Sequence, residues 1–161
     1  MDRPNGKSGI IEVFGNPYEW IRPDGSIDPT WEMRNMTSIP ISVAMPLSWD
    51  KTKIVSSIYG HKLMAPIFKK VFQDIVTKGV AKYIKSYGGC YNYRPKRGQS
   101  NLSTHTWGIA IDLNPETNGL GVQPDISLDL VKVFEDNGFI WGGRWTGRNV
   151  DGMHFQYCSG Y

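Results

Sequence analysis

A chain of 161 residues, 40% of them hydrophobic, is long enough for one domain with a full core. Its net charge of +3 suits attraction to an anionic polymer but is too small to imply nucleic acid binding, and no Lys/Arg tract interleaved with aromatics argues otherwise. There is no apolar run long enough to insert into a membrane, and the opening Met1-Asp-Arg-Pro-Asn-Gly6 is polar rather than a secretory signal, so synthesis in a cytoplasm is expected.

Residues 1–50 hold six of the ten prolines, which argues against long helices there. Ile10-Ile-Glu-Val-Phe14 is expected to form a strand, and Pro23-Asp-Gly-Ser26 a tight turn. With Trp20, Trp31 and Trp49, this stretch reads as an N-terminal segment packed on a domain that runs from 51 to 161. It would cover apolar surface, or else form a wall of the substrate groove or a small lobe that contacts the cell wall.

From Ala65 to Lys78, Ile67, Phe68, Val71, Phe72, Ile75 and Val76 recur at helical spacing, with Lys69, Lys70, Gln73 and Asp74 on the other face. Pro66 suits the first turn and Gly79 the C-terminal cap. Just before it, His61 is expected to hydrogen bond within the structure. Residues 80–93 read as mostly extended and lead into the basic turn Arg94-Pro-Lys-Arg97-Gly98.

Ser103-Thr-His-Thr-Trp-Gly-Ile-Ala-Ile-Asp112 concentrates the chemistry. His105 and Asp112 are metal-ligand types, but a continuous helix would separate them by about 10 Å, and a straight strand by about 24 Å with the side chains on opposite faces. A bend at Gly108 is therefore required. Beyond it, Ile109 to Leu113 alternates as a strand, with Ala110 and Asp112 on one face.

Asn114 to Pro124 is a polar loop. Ser127 to Asn137 reads as a second helix, with Ser127 as its N-cap and Leu128, Val131 and Phe134 inward. Phe139 to Gly143 should be a strand, with Trp141 in the core and Trp145 either in the core or lining a groove. In the last stretch, His154-Phe-Gln-Tyr157 alternates as a strand whose His154 faces a site while Phe155 packs inward. Asp151, three residues earlier, is a carboxylate able to take a proton from water. Two histidines and one aspartate leave a tetrahedral metal with an open position, as catalytic zinc sites do. Cys90 and Cys158 form no Cys-x-x-Cys pattern; they could bridge if their strands are neighbours, and two free thiols is the favoured reading.

Ser-x-His-x-x-Gly-x-Ala-x-Asp followed by Asp-x-x-His resembles the D-alanyl-D-alanine carboxypeptidase family of zinc peptidases. Within it, the pattern is most similar to the phage L-alanyl-D-glutamate endopeptidases, endolysins that cut bacterial cell walls. The resemblance runs from about residue 60 to 157, from His61-Lys-Leu-Met-Ala through Arg94 and the zinc motif to Trp141 and His154-Phe-Gln. It implies an α+β fold, a small antiparallel sheet with two main helices packed on it and the zinc site at the sheet, as in Hedgehog and D,D-peptidase domains.

By the same resemblance, His105, Asp112 and His154 hold Zn2+, Asp151 is the catalytic base, and Arg94 and Ser103 bind substrate. Many D,D-carboxypeptidases carry Glu where this chain has Asp151, which favours the endopeptidase branch. The expected protein is a monomeric peptidoglycan peptidase, made in a host cytoplasm without a signal peptide and acting on the wall after release. The alternatives are a D,D-carboxypeptidase releasing terminal D-alanine, or a non-catalytic wall-binding protein.

Overall fold

The computed structural model describes residues 1–161. Helices α1 (Gly6–Phe14) and α2 (Pro29–Asn35) come first. A long hairpin of β1 (Met36–Leu47) and β2 (Asp50–His61) follows, and then α3 (Ala65–Thr77). The C-terminal half adds β3 (Tyr87–Gly89), β4 (Ala110–Leu113), α4 (Leu128–Asp136), β5 (Ile140–Trp141) and β6 (His154–Gln156). The strands form one sheet in the order β2-β1-β3-β4-β6-β5.

The fold is α+β as expected, with two corrections. The sheet has six strands and is mixed rather than antiparallel, because β1 meets β3 in parallel at Leu47 and Tyr87. In addition, Ile10–Phe14 belongs to helix α1, not to a strand. Four apolar residues in a run of five do not fix their own period. Here Ile10 and Phe14, four residues apart, turn to one side and are both buried, which is a helical spacing.

The two helices read from periodicity lie where expected. In α3, Phe68, Val71, Phe72 and Ile75 are buried, and the helix packs against β1, β2 and α4. In α4, Ser127 caps the N-terminus by accepting the Asp129 N–H, and Leu130, Val131, Val133 and Phe134 face inward. Leu128, expected inside, is 65% exposed because it sits in the first turn, rotated away from that stripe. Residues 80–93 are less extended than expected: a 3₁₀ turn spans Ala81–Tyr83, and β3 covers three residues.

The core is continuous from end to end: Ile10, Phe14 and Trp31 belong to the same cluster as Phe68, Trp107, Phe134 and Phe155. A boundary at residue 50 falls at the turn of the β1–β2 hairpin, whose strands pair from Met36 and His61 down to Leu47 and Asp50. Cys90 and Cys158 are both buried free thiols. No helix is long and apolar enough to cross a membrane.

Candidate metal centre

His105 lies on a 3₁₀ turn, Thr104–Trp107, whose first N–H groups need a partner. Ser103 supplies one, its Oγ accepting the His105 N–H at 3.3 Å. The turn ends at Gly108 in the left-handed region, with φ 64°. A Cβ there would lie 2.6 Å from the His61 nitrogen and 2.7 Å from Met36 Sδ, so conformation and space both require glycine. The chain reverses into β4, and this is the bend that brings His105 back over Asp112.

The third residue arrives by strand pairing. In the antiparallel register of β4 and β6, Asp112 stands opposite His154, Ile111 opposite Phe155 and Ala110 opposite Gln156. Cross-strand partners share a face, so Asp112, His154, Ala110 and Gln156 point one way. Ile111 and Phe155 point the other, into the core. One ligand-type atom from each of His105, Asp112 and His154 lies within 4.8 Å of the others, and all three residues are buried.

The hydrogen bonds around the triad leave it short of protons. His105 Nδ1 is 2.7 Å from the carbonyl oxygen of Cys90, which can only accept, so the proton of the neutral ring is on Nδ1. Its Nε2 then carries a bare lone pair, 3.2 Å from Asp112 Oδ1, and has no hydrogen-bond donor of its own. His154 repeats the pattern with its nitrogens exchanged: Nε2 faces Gln156 Oε1 at 2.9 Å and Nδ1 faces the same Asp112 oxygen at 3.2 Å. Two lone pairs and a carboxylate converging in a buried place repel one another unless a cation lies between them.

Burial pushes the Asp112 carboxyl upward, but the imidazoles of His105 and His154 outweigh it and hold the group well below the usual carboxylate range. For His154, burial opposes the charged ring, and the hydrogen bond and charge of Asp112 overcome that and raise it. The buried carboxylate and the two imidazoles thus favour positive charge between them. Two imidazole nitrogens and one carboxylate oxygen fit zinc and leave one of four positions open.

Asp151 borders the site from the loop before β6. Its N–H donates to the Gly142 carbonyl at 3.0 Å, and its Oδ1 is buried without a partner. Burial chiefly, with the charge of Asp112 adding to it and His154 opposing, raises its titration above the ordinary carboxylate value. Gly142 is required there, because a Cβ would lie 2.5 Å from the Asp151 carbonyl oxygen.

Asp151 and His154 open onto a cleft of about 560 Å³ that Arg94, Ser103 and Gln156 also line. A second hollow of about 880 Å³ is lined by Asp112, and Arg94, Lys96, Arg97, Gln99 and Met153 border both. Of the cations in the first cleft, Arg144 is paired with Glu135, whereas Arg94, Lys96 and Arg97 have no carboxylate partner. Ser103 is buried and already caps the His105 turn. Trp145, left between core and groove, lines the cleft with its ring 5.7 Å from that of His154, while Trp141 is in the core. His61 stands apart from the triad. Its Nε2 donates to the Phe14 carbonyl and its Nδ1 accepts the Leu63 N–H, the structural role expected of it.

Two features were not read from the sequence. The Cys90 carbonyl that orients His105 carries no side-chain signal at all. Gln156 does: it stands two residues after His154 on a strand, and so on the same face, and that period alone marks it. No curated protein matches this sequence. Residues 97–157, which carry His105, Asp112, Asp151 and His154, match a family model described as D-alanyl-D-alanine carboxypeptidase.

Proposed function

We propose that the protein is a zinc-dependent peptidase of the peptidoglycan stem peptide that hydrolyses the L-alanyl-D-glutamate bond, as an endolysin does. The observation that carries the metallopeptidase reading is the convergence of His105 Nε2 and His154 Nδ1 on one buried Asp112 oxygen, each at 3.2 Å. A buried arrangement of acceptors costs stability in an empty protein. It is understandable in one that binds a metal ion, and it counts against a purely wall-binding role.

Zinc held by His105, Asp112 and His154 supplies a Lewis acid for the scissile carbonyl and the attacking water. Asp151, poised above the ordinary carboxylate range, takes the proton from that water and returns it to the leaving amine. Arg94 presents a guanidinium to a substrate carboxylate, which it can grip through two parallel hydrogen bonds. Ser103 holds the His105 turn from within the cleft wall and offers its hydroxyl to the substrate backbone.

Two neighbouring hollows, one lined by Asp151 and His154 and the other by Asp112, leave room for substrate beyond the scissile bond, which suits a bond inside a chain. The unpaired Arg94, Lys96 and Arg97 suit the acidic D-glutamate residue. The second reading, a D,D-carboxypeptidase releasing terminal D-alanine, is favoured by the description of the matching family model. Digesting purified peptidoglycan with and without a chelator, and identifying the new ends by mass spectrometry, separates the two. New L-alanine carboxyl and D-glutamate amino ends, lost with chelator and restored by zinc, are expected. Free D-alanine would establish the second reading, and no cleavage by zinc-loaded protein of several wall types would overturn both.

A further inference from the structure

The two imidazoles turn different nitrogens toward Asp112, and for His154 the choice is made by Gln156. Gln156 Oε1 lies 2.9 Å from His154 Nε2, across the ring from the Nδ1 that faces Asp112. An amide can present either end to a neighbour, but its other arm settles the matter here. Gln156 Nε2 is 3.4 Å from the Cys158 carbonyl oxygen and 3.3 Å from that of Tyr161, and both can only accept.

Oε1 therefore faces the ring, and it too can only accept, so in the neutral imidazole the proton lies on Nε2 and Nδ1 is bare. The Thr104 hydroxyl, 3.4 Å from both His154 Nε2 and Gln156 Oε1, is a longer and weaker contact. Gln156 is 3% exposed and stands opposite Ala110, whose small side chain leaves the amide its space.

We propose that Gln156 is a positioning residue of the metal centre: by accepting the Nε2–H of His154 it locks the ring in the tautomer whose Nδ1 binds the metal. The inference rests on the metallopeptidase reading above. Without the amide oxygen a neutral ring is free to carry its proton on Nδ1 instead and donate it to Asp112. That hydrogen bond would satisfy the empty site and compete with the metal for both groups.

The test uses the full chain, zinc-loaded and after stripping with chelator, at an alkaline pH at which the nitrogen shifts themselves show a neutral His154 ring. Long-range proton–nitrogen correlation reads the His154 tautomer, and competition with a chromogenic chelator reads zinc affinity, for wild type, Gln156→Leu and Gln156→Glu. The wild type is expected to carry the proton on Nε2. Gln156→Glu keeps an acceptor and should keep the tautomer. Gln156→Leu should move the proton to Nδ1 and weaken zinc binding by about 10- to 100-fold.

A merely structural glutamine would lower melting temperature in the Leu variant and move neither readout. Nδ1–H in the wild type overturns the proposal, as does a folded Gln156→Leu with tautomer and affinity unchanged. Should Gln156→Leu not fold, Nδ1–H in the wild type or in Gln156→Glu still overturns it. A wild type with the Nε2–H tautomer and no zinc affinity would instead sink the metallopeptidase reading, and with it the metal-positioning role.

Discussion

His105 Nε2 faces Asp112 Oδ1 at 3.2 Å while its other nitrogen gives its proton to the Cys90 carbonyl, so a lone pair and a carboxylate oxygen confront each other in a buried site. Asp112→Asn separates the cost of this contact from its purpose. The carboxamide loses the negative charge and gains N–H donors for the bare imidazole nitrogens. The chelator-treated variant is therefore expected to melt no lower than the chelator-treated wild type, although a buried ion-type contact has been altered. Zinc at a hundred times its dissociation constant should stabilise wild type by about 2.7 kcal/mol, a rise of roughly 5–10 °C for a chain of this size, and leave Asp112→Asn unmoved. A zinc-induced rise that survived in the variant would place the ion elsewhere.

Asp151→Asn should uncouple chemistry from metal binding. The residue is not one of the three converging groups, so zinc affinity is expected to stay within a few-fold of wild type. Loss of the proton acceptor should lower kcat by about 10²- to 10⁴-fold. In the chelator-treated wild type the Asp151 carboxyl should titrate above the ordinary carboxylate range, because burial raises it, and bound zinc should oppose that shift. Full activity with bound zinc in Asp151→Asn would end its assignment as base.

The triad was legible in the sequence because its spacing admits few geometries. Seven residues separate His105 from Asp112, and only a chain reversal at Gly108 brings them together. The alternation of His154-Phe-Gln156 gave the face of β6 directly. The β1–β2 hairpin was not legible, since Pro40 and Pro46 interrupt a strand pattern. Over most of its length β1 has no partner on its second side, being joined there only at Leu47, and a missing N–H costs little along such an edge. Helix α1 was not legible because four apolar residues in a run of five fit either period, and what decides it is distant packing, with Phe14 against the His61 ring at 5.0 Å.

His61 makes stability depend on pH. Both its ring nitrogens are used in the neutral form, and burial, with Lys62 adding and the Phe14 carbonyl opposing, lowers its pKa from 6.5 to about 4. A depressed histidine binds its proton more readily unfolded than folded. Its contribution is therefore complete above about pH 6.5 and is lost as pH falls toward 4, with about 3 kcal/mol as the upper bound. His154 is shifted the opposite way, so the comparison must be between variants rather than within one curve. Chelator-treated His61→Gln should melt lower than wild type at pH 8 and show a shallower decline between pH 6.5 and 4. Parallel curves would show that His61 is not the group responsible.

Trp31 ties the first fifty residues to the metal turn. Its indole is 2% exposed, and Nε1–H donates to the carbonyl oxygen of Thr106, next to His105 in the chain, at 3.1 Å. In return Trp107, on that turn, donates to the Gly15 carbonyl at 2.9 Å. Trp31→Phe keeps most of the packing and strands one buried acceptor, a loss of about 1–3 kcal/mol, and it should weaken zinc binding by loosening the His105 turn. Trp31→Ala adds a cavity and should cost about 3–5 kcal/mol. Deleting residues 1–50 removes β1, α1 and α2 together with Ile10, Phe14, Trp31, Ile39 and Met45 from the core, so the remainder is expected not to fold. Wall binding by this segment is better read from Trp49→Ala, which changes a side chain 65% exposed at the hairpin turn. A fragment of residues 51–161 that folded and bound zinc as wild type does would make the N-terminal segment an appendage and the Trp31–Thr106 bond irrelevant to the centre.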